Sequence, residues 1–237
     1  MIRIVPVYSD LFCCGFTMGS YGPARLLGIY GGIVGLIYIE TDGLRHDTPL
    51  LYALPPLALA AFTYGLTMNR ATKVLTSISF IAIGGALYLL DRRVLPYTIS
   101  LMTFSHLLYL FSFMKCMQRL WNELAIILTI YFGGIFYYCF ADLFASIPML
   151  VTFLTIHLFV VCVSILTAGS VWFYGSKRSY ARQGDLLRFM GLLICLVCSS
   201  ILLLNRFGRR LQQSHYLIKL LCYLSEALLF FANERTF

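Results

Sequence analysis

Charge is what this chain has least of. Only 12% of its 237 residues are Asp, Glu, Lys or Arg, about half the share of a soluble domain. With 60% hydrophobic residues and a mean hydropathy of +0.83, a water-soluble globule is excluded. The alternation of apolar and polar residues that a membrane barrel needs is missing. So is any polar stretch long enough for a separate soluble domain. No Asn-x-Ser/Thr acceptor occurs, and no small-residue cleavage pattern accompanies the first apolar run, so no removable signal peptide is expected. There is no GxSxG elbow, Gly-rich phosphate loop or HExxH pair. No cluster of side chains demands a metal, and no cofactor is expected.

What is present is a series of apolar runs, at 24–40, 49–68, 73–90, 94–114, 122–140, 145–169, 186–204 and 214–233. A bilayer core of about 30 Å takes about 20 helical residues to cross. In lipid each backbone N–H and C=O needs an internal partner, which makes these runs helices. The expected fold is all-α: a polytopic membrane protein forming an eight-helix transmembrane bundle over 24–237. Residues 1–23 form an irregular lead-in whose apolar stretch 11–16 is too short to span.

The net charge of +8 reads as basic cytoplasmic loops, not as nucleic-acid binding. With the N-terminus in the cytoplasm, eleven Lys and Arg fall on that side and seven on the other. Both termini are therefore expected to be cytoplasmic. The longest basic loop runs from Lys177 to Arg188. A solvated loop is its plainer meaning, attraction to anionic headgroups the other. Missing glycosylation sites and a missing leader are compatible with an internal membrane such as the endoplasmic reticulum. Most of the eight cysteines lie inside runs and read as small apolar residues. That includes Cys195 and Cys198, despite their CxxC spacing. Cys13 and Cys14 precede the first run and are weak acylation candidates.

Gly28, Gly31, Gly32 and Gly35 give the first run small residues four apart, a spacing that lets membrane helices approach closely. Pro55 and Pro56 interrupt the second run, and each removes a backbone donor. The result is either a bend or a break that lines a cavity. A faint internal echo places Gly84-Gly85 before Asp91-Arg92-Arg93, and Ser199-Ser200 before Asn205-Arg206. Four helices separate the two, which suggests two four-helix halves related by an axis along the membrane normal.

Ionisable groups inside membrane helices are expensive and point to function. His106 lies in the middle of the fourth run, with Tyr109 on the same helix face. Glu226 lies in the middle of the eighth, with Tyr223 on its face. Each is about twelve residues, or about 18 Å, from the start of its run. Both runs cross in the same direction. An imidazole and a carboxyl at one depth are a candidate proton-transfer pair. A hydrogen bond that glues two helices is the alternative. His157 in the sixth run reads as structural, and Asp91 and Asp142 as interfacial.

From Pro55 to Phe113 and from Leu187 to Phe230 the chain resembles the YhhN-like lysoplasmalogenase family. These are eight-helix membrane proteins that hydrolyse the vinyl ether bond of lysoplasmalogens to a fatty aldehyde and a glycerophospho-base. The family pattern His-x-x-Tyr-x-x-x-Phe is matched by His106, Tyr109 and Phe113. The later pattern is matched by Gly191, Ser199-Ser200, Phe207, and Tyr223 three residues before Glu226. Two departures stand out: Gly85 and Ser200 occupy the places of the two family aspartates, and Glu226 replaces a glutamine.

The resemblance implies a diverged hydrolase of lysophospholipid metabolism. His106 and Glu226 would be its acid and base. Tyr109, Tyr223 and Ser200 would orient water or ether oxygen, and Gly85 and Pro55 would line the substrate cavity. Two other readings stay open. One is a lysolipid-binding pseudoenzyme, suggested by the missing aspartates. The other is a small solute or lipid transporter, suggested by the interrupted second helix and the internal repeat.

Overall fold

The computed structural model describes residues 23–46, 48–92, 94–140, 144, 146–175, 182–207 and 214–236. The lead-in over 1–22 with its two cysteines, Asp142, and residues 177–181 of the basic stretch lie outside the described residues. Among the described residues the chain forms eight α-helices and no strand. They are α1 (Pro23–Glu40), α2 (Pro49–Gly65), α3 (Arg70–Asp91), α4 (Leu95–Phe113), α5 (Asn122–Ile135), α6 (Pro148–Tyr174), α7 (Arg182–Phe207) and α8 (Ser214–Thr236). A 3₁₀ turn, Met114–Cys116, follows α4, and a π turn, Phe136–Phe140, extends α5.

Helix starts follow local chemistry. A proline in the first turn opens α2, α4 and α6, where the missing N–H costs nothing. Asn69 caps α3 by accepting from the Ala71 N–H. Gly175, at φ 85°, ends α6 in a conformation that suits glycine.

Six helices, α3 to α8, are long and apolar enough to cross a membrane, and α2 is a shorter apolar helix. Their outer surfaces are apolar too: Leu50, Ile130 and Met149 are each at least 70% exposed. Such surface suits lipid. Both tryptophans mark one end of the bundle. Trp121, just before α5, stacks on Phe173 at 4.5 Å, and Trp172, near the end of α6, stacks on Phe189 of α7 at 5.5 Å. Arg119 lies over the Tyr174 ring at 5.1 Å. Tryptophans beside basic residues are the signature of a membrane–water boundary.

Packing closes a ring. α3 lies between α2 and α4, α6 between α4 and α7, α7 packs most extensively on α8, and α8 returns to α2. α1 leans on α2 and α8 from outside, and α5 leans on α6. Each half thus contributes three consecutive ring helices and one outer helix. The close crossings sit at glycines of the ring. A Cβ on Gly84 would lie 3.3 Å from the Ala53 carbonyl of α2. One on Gly191 would lie 2.9 Å from Leu229 and 3.2 Å from Leu228 of α8. The glycines of α1 have no such role: a Cβ on Gly28, Gly31, Gly32 or Gly35 would meet nothing within 4 Å.

The prolines do not break α2, which runs unbroken past Pro55 and Pro56. Pro56 cannot donate to the carbonyl of Tyr52, four residues earlier. That carbonyl accepts instead from the Tyr223 hydroxyl of α8, at 3.1 Å. A neighbouring helix supplies the lost hydrogen bond, as lipid requires.

Candidate functional site

The inner stripe of α4 carries Met102, His106, Tyr109 and Phe113, spaced one turn apart, and all are buried. His106 donates from Nδ1 to the Met102 carbonyl at 2.7 Å. Its Nε2 therefore accepts from the Cys195 thiol of α7, at 2.8 Å. The His157 ring of α6 stands edge-on to His106, with centroids 5.6 Å apart. Thr103 gives its only hydroxyl hydrogen to Ile99, at 2.7 Å. It thus accepts from His157 Nδ1 at 3.3 Å, leaving Nε2 to accept from Ser199 at 3.2 Å. His157 has more partners than its sequence context suggests.

Glu226 lies on the inner stripe of α8 and is 3% exposed. Its carboxyl is within electrostatic reach of His106, Tyr109, Cys195, Cys198, Cys222 and Tyr30. Among the described residues it has no hydrogen-bond or ion-pair partner. Its neighbour Ser225 donates instead to the Gly191 carbonyl at 2.9 Å, pinning α8 to α7.

Toward the tryptophan-marked end lies a second polar group. Arg188 of α7 is fully buried, contrary to its assignment to a basic loop. Its Nη1 donates to Asp185 at 3.0 Å, its Nη2 to Asn233 Oδ1 at 3.3 Å and its Nε to the Tyr109 hydroxyl at 3.4 Å. The guanidinium also covers the Phe113 ring at 4.9 Å. Tyr109 in turn shares its hydroxyl hydrogen between the Leu229 carbonyl at 3.2 Å and Asn233 Oδ1 at 3.3 Å. Two donors thus fix Asn233 Oδ1, and the Asn233 amide nitrogen is buried with no partner among the described residues. Such an orphan costs about 1–3 kcal/mol.

The fold therefore brings His106, Tyr109 and Glu226 into one interior. Tyr223 is buried beside them on α8 but turns its hydroxyl to Tyr52, and its carbonyl accepts from Tyr30 of α1 at 2.9 Å. Pro55 is buried within α2. Ser200 points away from His106: it donates to the Leu196 carbonyl at 2.6 Å and makes a short contact with the Tyr131 hydroxyl of α5. Gly85 lies on the outward stripe of α3, in line with exposed Val74, Ile78 and Ile81, and a Cβ there would meet only Leu101 of α4, at 3.4 Å.

Sequence reasoning missed Cys195, Arg188 and Asn233. A signal existed on α7, where Arg188, Leu192, Cys195 and Ser199 recur at helical spacing along one stripe. Among the described residues, no three His, Cys, Asp or Glu side chains converge as a metal site requires.

A family model, that of the YhhN family, matches residues 48–233, from the start of α2 almost to the end of α8. No curated protein and no solved structure matches.

Proposed function

Because the chain belongs to the YhhN family, a lysoplasmalogenase-like group, we propose that it is a membrane hydrolase acting on the vinyl ether bond of lysoplasmalogens. The observation that carries this reading is Glu226: a carboxyl in the middle of a membrane bundle, without a hydrogen-bond or ion-pair partner among the described residues, within the electrostatic influence of a buried histidine. Structural carboxyls in lipid are paired, and one kept unpaired is available for proton transfer.

In the proposed reaction the Glu226 carboxyl gives its proton to the vinyl carbon remote from the oxygen. Positive charge then spreads over the adjoining carbon and the ether oxygen. Water adds to that carbon and loses a proton to the Glu226 carboxylate. The resulting hemiacetal collapses to a fatty aldehyde and a free glycerol hydroxyl. His106, its ring held by Met102 and the Cys195 thiol, acts as a positioning residue beside Glu226 and exchanges no proton itself. Tyr109 lies one turn from His106 on the inner stripe of α4. The basic bias of one face supports cytosolic termini, and an internal membrane is the proposed location.

A second reading has its own observation. Gly85 is half-buried against Leu101 of α4 and Ser200 is turned to Tyr131, and neither of these residues, in the places of the family aspartates, is an acid. A protein that binds lysolipid without cleaving it fits that loss. Aldehyde release from a lysoplasmalogen by the purified chain, with Glu226→Gln and His106→Ala alongside, decides. Turnover lost in both variants supports the hydrolase. An inactive parent with an intact fold leaves the binding protein. The transporter reading loses one of its two motives, since α2 is unbroken, and solute uptake into liposomes tests the one that remains, the internal repeat.

A further inference from the structure

We propose that Arg188, Asn233 and Tyr109 form the seat for the phosphate of a single-chain phospholipid, at the tryptophan-marked end of the same interior. The proposal rests on the hydrolase reading only for where the ether bond lies, and the phosphate seat has its own evidence.

The first argument is chemical. A guanidinium is the side chain suited to paired N–H···O contacts with phosphate. This one is completely buried, which is unusual for arginine unless an anion or a dense set of acceptors meets it. Beside it, the Asn233 amide nitrogen is buried and has no acceptor among the described residues. Asn233 cannot turn over to cure this, because both Arg188 and Tyr109 donate to its oxygen. The cluster therefore holds a fixed N–H group that waits for an acceptor, next to a fixed cation. Asp185 keeps the arginine compensated in the absence of ligand.

The second argument is depth. Arg188 is six residues into α7 and Asn233 three residues from the end of α8, so they lie about 9 Å and 5 Å from those helix ends. Phe189, the next residue after Arg188, stacks on Trp172 of the boundary belt. The cluster thus sits at headgroup level. Glu226 is seven residues deeper on α8, and His106 three residues deeper on α4, or about 10 Å and 5 Å. In a glycerophospholipid five bonds join phosphorus to the oxygen on the first glycerol carbon, a span of about 6 Å. A phosphate on Asn233 and Arg188 would bring the ether oxygen to the level of His106, with the alkenyl carbons beyond it reaching toward the deeper Glu226.

The test uses the full chain in detergent and reads its thermal unfolding midpoint. The probes are a 1-O-alkyl glycerophosphoethanolamine, whose saturated ether cannot be hydrolysed by proton addition, the matching 1-O-alkylglycerol, glycerophosphoethanolamine and inorganic phosphate. The expected result is protection by the alkyl phospholipid at concentrations at least about tenfold below those the alkylglycerol needs, the scale of one contact to a charged group. Asn233→Asp, which sets a second anion against the phosphate, should abolish that advantage and leave the response to alkylglycerol unchanged. Equal protection by alkylglycerol overturns the proposal. So does equal protection by inorganic phosphate or glycerophosphoethanolamine, which would make the seat a site for a free anion. The comparison of ligands on the parent chain decides even if the variant does not fold. Phosphate-dependent protection without aldehyde release would keep this seat and remove the hydrolase. Aldehyde release that is indifferent to phosphate would do the reverse.

Discussion

His106 has no ring nitrogen to spare, because Met102 holds one and Cys195 the other. Glu226 has no such anchor among the described residues, which makes it the better candidate for proton transfer to substrate. If aldehyde release is confirmed, Glu226→Gln should lower kcat by about a hundredfold or more, the usual worth of a positioned acid. His106→Ala should act on the same step. Glu226→Gln should nevertheless remain folded, since no hydrogen bond or ion pair among the described residues is lost. Arg188 behaves in the opposite way. Arg188→Met would strand the buried Asp185 carboxyl and should destabilise the fold by about 3–5 kcal/mol. Adding Asp185→Leu should recover much of that loss, and denaturant unfolding of the single and double variants measures it. His106 and Glu226 were legible in sequence because ionisable residues are rare in apolar runs. Arg188 was not, because its neighbours Arg182 and Asp185 make the start of α7 look like a loop. Only the fold brings Tyr109 and Asn233 to it from two other helices.

At the scale of elements, two prolines and a tyrosine act together. The Tyr52 carbonyl, left without a donor by Pro56, is held by Tyr223. Tyr223→Phe should therefore cost about 1–3 kcal/mol, the cost of an orphaned buried group. In a Pro56→Ala background the helix regains its own donor, and the same substitution should cost clearly less. A double-mutant cycle on thermal stability measures that coupling. Glycines give a second contrast. Gly191→Val pushes into Leu228 and Leu229 at the tightest crossing of α7 and α8, and should destabilise by about 1–3 kcal/mol. Gly31→Ala meets nothing and should not destabilise. Sequence pattern favoured α1 as the glycine-packed helix because four glycines recur there. The pattern misleads because spacing states only that a close approach is possible. Gly84 and Gly191 carry close contacts instead, and only the partner helices reveal them.

For the whole molecule, the number of helices was legible and their arrangement was not. Eight long apolar runs leave little choice but helices in lipid. In lipid, though, inner and outer faces are equally apolar: Ile78 and Ile81 face out from α3 while Ile83 and Leu87 face in. Periodicity therefore could not show that α1 and α5 stand outside a ring of six. Orientation is the property on which sequence and fold combine. Counting Lys and Arg favours cytosolic termini, eleven against seven. The fold withdraws one residue from each side, because Arg188 and Lys219 are buried within helices, Lys219 with its ammonium 3.3 Å from the centre of the Tyr52 ring. The bias of the remaining loops is unchanged in direction, and only charges in loops near the helix ends set topology. The tryptophan-marked end, which carries Lys115, Arg119 and the end of α8, should face the cytosol. A fluorescent reporter that matures only in the cytosol, fused after residue 237, should be bright, and a cysteine placed at Glu123 should react with a membrane-impermeant thiol reagent only when the cytosolic face is opened. A cysteine at Tyr97, exposed at the start of α4, should show the opposite accessibility. The reverse pattern would put the Arg188 cluster on the far leaflet and require its lipid to enter from there.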